Sequence, residues 1–266
     1  MRVGVFDSGL GGLTTWLACT RYLPTAEYFF FADTAHAPYG DRTAEEVCQY
    51  TQAAYAYFLE LGVDALVIAC NTATSAAVLP LRQQARMPVI GIEPAIKVAL
   101  QESEGEILLL ATELTVRGSK LAQLLRDRDG GGRVRALACP GWMEIIEGQA
   151  SDWRVRAQAY WCEHIEPALG AAQALVLGCT HYCWLREEIS AWSGGMAIYD
   201  GNDGVARQLY RLLLQREPEP DSISTARAPL SLHFTATAAE ARKQAAAAEL
   251  LRNAGVELRL LPLSSA

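Results

Sequence analysis

The sequence predicts an α/β protein of two similar lobes, each a mainly parallel sheet with helices on both faces, and three observations support this. Apolar runs of strand length alternate with helix-length segments along most of the 266 residues, the pattern of parallel strands joined by crossover helices. Two of those runs are near-copies: Ala65-Leu66-Val67-Ile68-Ala69-Cys70-Asn71-Thr72 and Ala174-Leu175-Val176-Leu177-Gly178-Cys179-Thr180-His181. Each follows a helix-like segment closed by Leu-Gly, at Leu61-Gly62 and Leu169-Gly170. The duplication, together with the number of strands, calls for two sheets rather than one.

In chain order, a strand over 2–7 opens the fold and runs into the glycine-rich turn Asp7-Ser8-Gly9-Leu10-Gly11-Gly12. Strands over 27–32, 64–70 and 88–92 follow, with a helix over 43–61 among them. Glu93-Pro94 then makes a natural crossing into the second lobe. That lobe takes strands over 106–111, 133–139, 173–179 and 196–200, a surface turn at Asp127–Arg133 and a helix over 152–169. A helix over 202–216 leads back, and Glu217-Pro218-Glu219-Pro220-Asp221-Ser222 is a polar, proline-broken link. Strands over 230–235 and 256–262, flanking an alanine-rich helix over 237–253, complete the first sheet. The expected lobes are residues 1–94 plus 208–266, carrying Cys70, and residues 95–207, carrying Cys179. Ligands of open α/β sheets bind outside the carboxyl ends of the strands, so the expected active site is the cleft between the lobes.

Composition narrows the function. A formal charge of −7 and no basic run argue against a nucleic-acid partner. The longest apolar stretches fall short of the roughly 20 residues a membrane helix needs, and the first residues lack the apolar region of a signal peptide. A cytoplasmic protein is expected. Seven cysteines in an odd, irregular set read as free thiols rather than a disulfide framework. Cys19, Cys48, Cys139 and Cys162 read as ordinary small apolar residues.

Cys70 and Cys179 read differently, because two strand ends can present two thiols to one ligand. Proton removal from the α-carbon of an amino acid is commonly assisted by pyridoxal phosphate on a lysine. Here the three lysines, Lys97, Lys120 and Lys243, lie away from any strand end beside a glycine loop. Two thiols on opposite faces of the carbon offer a route without a cofactor: one, as thiolate, removes the proton and the other delivers one. A helix start at each cysteine would favour the thiolate, and His181 could do the same for Cys179. The turn after the first strand lacks the full dinucleotide spacing and a terminal Gly-Lys-Ser/Thr, and Asp7 would repel a phosphate. A carboxylate and a hydroxyl there suit an α-ammonium group. The cluster from Cys179 to Cys183 lacks a fourth ligand for a tetrahedral metal site, so no metal is expected.

Taken together, these segments resemble the glutamate racemase family of the cofactor-independent aspartate/glutamate racemase superfamily. The matching residues are Asp7-Ser8-Gly9-Leu10-Gly11-Gly12-Leu13, Ala32-Asp33-Thr34 with Pro38-Tyr39-Gly40, Cys70-Asn71-Thr72-Ala73, Ala111-Thr112 with Thr115, and Leu177-Gly178-Cys179-Thr180-His181-Tyr182. They run in family order over nearly the whole chain. The resemblance implies that Cys70 and Cys179 are the proton donor/acceptors, Cys70 facing D-glutamate and Cys179 facing L-glutamate. It implies substrate contacts from Asp7, Ser8, Tyr39, Gly40, Asn71, Thr72, Thr115, Thr180 and His181. Asp33 and Glu147 are implied as assisting groups, Asp7 near the first thiol and His181 near the second. No cofactor is implied. The family role is supply of D-glutamate for peptidoglycan, and relatives raise a homodimer and an activating peptidoglycan precursor as partners. Three positions depart from the pattern: Cys183 replaces a usual proline, Gly201 a common serine, and Val98 a frequent proline after Lys97. Competing readings are an aspartate or hydantoin-type two-cysteine racemase, a non-catalytic amino-acid-binding relative and, more distantly, a nucleotide-binding oxidoreductase.

Overall fold

The computed structural model describes residues 1–129, 131–148, 152–218, 230–234 and 240–253. Nine strands form two sheets among these residues: β1 (Arg2–Asp7), β2 (Glu27–Ala32), β3 (Ala65–Ile68), β4 (Val89–Gly91), β5 (Glu106–Ala111), β6 (Val134–Ala138), β7 (Ala172–Leu177), β8 (Ala197–Asp200) and β9 (Leu230–Phe234). The first sheet runs β4-β3-β1-β2-β9 and the second β6-β5-β7-β8. Every strand pair is parallel. Without β9, both sheets have the same order: the first strand of each lobe lies between its second and third, with the fourth outside the third. The duplicated cysteine strands, β3 and β7, occupy equivalent positions beside β1 and β5.

Parallel strands buried on both faces need apolar side chains at consecutive positions, and the cores show this. Ala65, Val67 and Ala69 join Val3 and Val5 on one face of the first sheet, under α1 (Leu13–Tyr22), α10 (Asn202–Leu214) and α11 (Glu240–Asn253). Leu66 and Ile68 join Phe6 on the other face, under α2 (Ala44–Glu60) and α3 (Asn71–Gln84). In β5, Leu108 and Leu110 enter one core while Ile107, Leu109 and Ala111 enter the opposite one. The chain crosses between sheets through α4 (Ile96–Glu102) and returns along α10, whose Val205, Ala206 and Leu209 lie in the first lobe's core. Thr15 donates to Asn202 at 2.7 Å and Tyr22 to Asp203 at 2.6 Å, fixing α10 on α1. The second lobe adds α5 (Glu113–Arg117), α6 (Ser119–Arg128), α7 (Trp142–Gly148), α8 (Trp153–Tyr160) and α9 (Arg186–Trp192). Among the described residues, no helix is long and apolar enough to cross a membrane.

Three expectations are corrected in detail. The helix expected over 152–169 is α8 followed by a π turn (Trp161–Ile165) and a 3-10 turn (Glu166–Ala168). The turn expected at 127–133 begins later, because α6 continues to Arg128; the Asp129 carboxylate then accepts from the amides of Arg133 and Val134 and starts β6. Cys179 leads into a 3-10 helix (Thr180–Leu185) before α9 rather than directly into an α-helix. The strand expected over 256–262 lies outside the described residues.

Candidate active site

Each cysteine of the duplicated motif stands two residues beyond its strand, at the crevice where connections leave in opposite directions. Cys70 caps α3, and its sulfur accepts from the Ala73 amide at 3.4 Å. The Ser8 hydroxyl lies 3.6 Å from the same sulfur and donates to Asp7 Oδ1 at 3.3 Å. Burial, then the nearby Asp7 carboxylate, pushes the Cys70 thiol up to about 12, although the Ala73 amide and Ser8 pull the other way. Cys70 is therefore a protonated thiol. Asp7 is itself raised, chiefly by burial, against the pull of His181, the Gly9 amide and Thr180.

Across the cleft, Cys179 Sγ lies 3.8 Å from His181 Nδ1, and His181 Nε2 lies 2.6 Å from Glu147 Oε2. Both members of the imidazole–carboxylate pair are almost fully buried. Burial alone would weaken the imidazole as a base. The bonds to Cys179 and Glu147 outweigh it, and His181 holds its proton well above the usual 6.5. A cation thus adjoins the second thiol, while a carboxylate adjoins the first.

The glycine-rich turn after β1 packs against this pair. The Leu10 amide donates to Glu147 Oε2 at 3.3 Å, and the Gly11 amide nitrogen comes within 3.2 Å of His181 Nε2. A Cβ on Gly9 would collide with Glu147, and one on Gly11 with Thr180 and His181. These glycines are needed for close approach of the other lobe, a use of glycine distinct from a phosphate cradle. Thr180 Oγ1 reaches back to donate to Asp7 Oδ2 at 2.9 Å.

The two thiols line one pocket, bounded by Ser8, Tyr39, Gly40, Cys70, Asn71, Thr72, Thr112, Met143, Cys179, Thr180 and His181. Asp7, Asp33, Thr115 and Glu147 stand behind that lining, each bonded to a residue on it. Asp33 accepts from the Tyr39 phenol at 2.6 Å, and Thr115 shares a hydroxyl cluster with Thr72 and Thr112. Asn71 Oδ1 is buried without a hydrogen-bond partner. The motifs in the sequence include Thr112 without assigning it a substrate contact, and they do not include Met143. Thr112 could have been singled out, because it caps α5 at the strand end equivalent to Ser8. Met143 carries no local signal.

A profile of the Asp/Glu/hydantoin racemase family matches residues 17–209. The glutamate racemase of Halothermothrix orenii is 39% identical over 218 residues, covering 81% of this chain and 86% of its own. The chain belongs to the glutamate racemase family.

Solved structures of that family share the fold. A glutamate racemase isoform from Bacillus anthracis superposes with a TM-score of 0.81 at 25% identity, covering 99% of this chain and 98% of its own. The Escherichia coli glutamate racemase, solved with L-glutamate and the activator UDP-MurNAc-Ala, gives 0.77 at 27% identity over 97% of each chain. Two departures from the glutamate racemase pattern have visible settings. A Cβ at position 201 would collide with the Glu93 carbonyl, so Gly201 lets the start of α10 pass close to the interlobe crossing. The Cys183 thiol points back toward the Cys179 carbonyl, 3.8 Å away. Val98 is exposed on α4, and nothing in its surroundings explains the replacement.

Proposed function

We propose that the protein interconverts L- and D-glutamate by cofactor-independent 1,1-proton transfer between Cys70 and Cys179, supplying D-glutamate for peptidoglycan. The observation that carries this reading is that two thiols from equivalent strand ends of the two lobes line a single pocket. Starting from L-glutamate, the Cys179 thiolate takes the α-proton, and the C–H electron pair passes into the α-carbon and its carboxylate. The Cys70 thiol then donates its proton to the opposite face, giving D-glutamate and a Cys70 thiolate. The return reaction, or exchange with solvent, resets the pair. His181, held by Glu147, faces Cys179 on one side; Ser8, held by Asp7, faces Cys70 on the other.

The remaining groups support glutamate as the substrate. The hydroxyls of Thr72, Thr112 and Thr180 and the amides around Gly40 suit the two carboxylates. Among the described residues, no lysine or arginine lines the pocket, so a product anion is not held too tightly. The unpartnered Asn71 oxygen suits the α-ammonium group. Fixed dipoles in a water-poor pocket oppose the developing negative charge without reorganising. On the same footing, a UDP-linked peptidoglycan precursor, the activator in the Escherichia coli structure, is proposed as an effector.

A racemisation assay on protein purified without added cofactor tests the reaction. Replacing Cys70 or Cys179 with serine should abolish turnover while glutamate binding persists; full activity in either variant rejects the assignment. In heavy water, L-glutamate should yield deuterated D-glutamate while the remaining L-form stays mostly unlabelled early on. A single shuttling base would label both enantiomers.

A further inference from the structure

The loop between β2 and α2 forms one wall of the pocket, and a surface histidine anchors it. Tyr39 and Gly40 line the pocket, and Gly40 packs against Thr112 of the second lobe. Tyr39 is buried between Phe6 and Tyr50, with ring centroids 6.4 and 5.8 Å away. Its phenol donates to Asp33 Oδ2, and both Asp33 oxygens lie within 2.9 Å of His36 Nδ1. Facing a carboxylate, Nδ1 carries the ring's proton. The His36 side chain is 42% exposed, stacks on Tyr50 at 4.0 Å, and its carbonyl accepts from Arg42 Nε at 3.0 Å.

We propose that His36 is a positioning residue for substrate binding: it holds Asp33, which holds the Tyr39 phenol and with it the wall formed by Tyr39 and Gly40. The inference deepens the reading of this pocket as the glutamate site and rests on it. His36 touches neither thiol; it reaches the lining through this chain of two hydrogen bonds and through its stack on Tyr50, which packs on Tyr39. Without the imidazole, the Asp33 carboxylate keeps the phenol but loses the donor that fixes its own rotamer, so the wall is no longer held in one place. A wall that contacts substrate before and during proton transfer alike changes binding more than the chemical step.

Two substitutions separate the donor from the stack. His36→Phe keeps the ring on Tyr50 and removes the donor; His36→Asn keeps a donor near the Nδ1 position and removes the ring. In steady-state racemisation from either enantiomer, H36F should raise KM roughly five- to twentyfold with kcat within about twofold. H36N should restore KM to within about threefold of the parent, and H36F should add nothing in a Tyr39→Phe background. The proposal is overturned if H36F leaves KM unchanged, if H36N is as impaired as H36F, or if H36F keeps its full effect beside Y39F. It is equally overturned if H36F lowers kcat and Tm together, the mark of a merely structural role. Turnover of glutamate by the parent protein decides the reading of the pocket separately from this comparison.

Discussion

His181 joins the Cys179 thiol to the buried Glu147 carboxylate. Its protonation is a linkage statement: the native fold holds that proton more tightly than the unfolded chain does. The associated stability is fully present below about 6.5 and is lost as pH rises through the higher native value. Glu147→Gln removes the carboxylate from the 2.6 Å contact, so the ring should release its proton at a lower pH than in the parent. NMR of the His181 ring across a pH series reads this directly, and superimposable titrations would refute the pairing. The same variant should lose roughly a hundredfold in kcat. Because the equilibrium constant between enantiomers is one, kcat/KM must fall equally in both directions; any asymmetry can appear only in kcat and KM taken separately. The sequence named His181 and Glu147, but their partnership depends on a helix 34 positions away in the chain, which no local spacing encodes.

At the level of elements, the strand-to-helix turn after β1 has a purpose its glycines only partly reveal. Read locally, Gly9, Gly11 and Gly12 announce a tight turn. In the fold Gly9 and Gly11 make a flat face on which the 3-10 helix over Thr180–Leu185 and the α7 carboxylate settle, while Gly12 lies against Asp7 and Ala69 of its own lobe. Neither Gly9 nor Gly11 has a left-handed backbone, so alanine would be tolerated by the loop itself and resisted by its partner across the cleft. Gly11→Ala should therefore cost roughly a hundredfold or more in kcat/KM, since a displacement of about 1 Å at a catalytic pair suffices for that, while Tm changes little. A variant with parental kinetics would show that the two lobes need not touch there. The strands themselves were legible because each core strand is apolar at consecutive positions. The break of the 152–169 segment into α, π and 3-10 pieces was legible only at its end, where Pro167 cannot continue an α-helix and starts the 3-10 turn; the π turn before it carries no local signal.

The molecule as a whole is held closed by the groups proposed to do its chemistry. Thr180 to Asp7, Leu10 to Glu147, and Thr72 to Thr112 all cross the cleft, and Cys70 and Cys179 are only 5% and 7% exposed. Substrate entry then requires those bonds to open together. Timed alkylation read by mass spectrometry should label the exposed Cys162 first. Cys70 and Cys179 should react slowly, and more slowly still with glutamate present; rapid labelling of both that ignores glutamate would contradict a closing cleft. What the sequence determined alone was the repeated strand–cysteine unit, the parallel α/β class and the residue types of the site, because strand burial and short motifs are written in consecutive positions. Only the tertiary structure decided that Asp7, Asp33, Thr115 and Glu147 stand behind the pocket wall, and that the glycine turn is an interlobe contact. Those facts depend on where one lobe rests against the other, a relation between residues far apart in the chain that no spacing along it specifies.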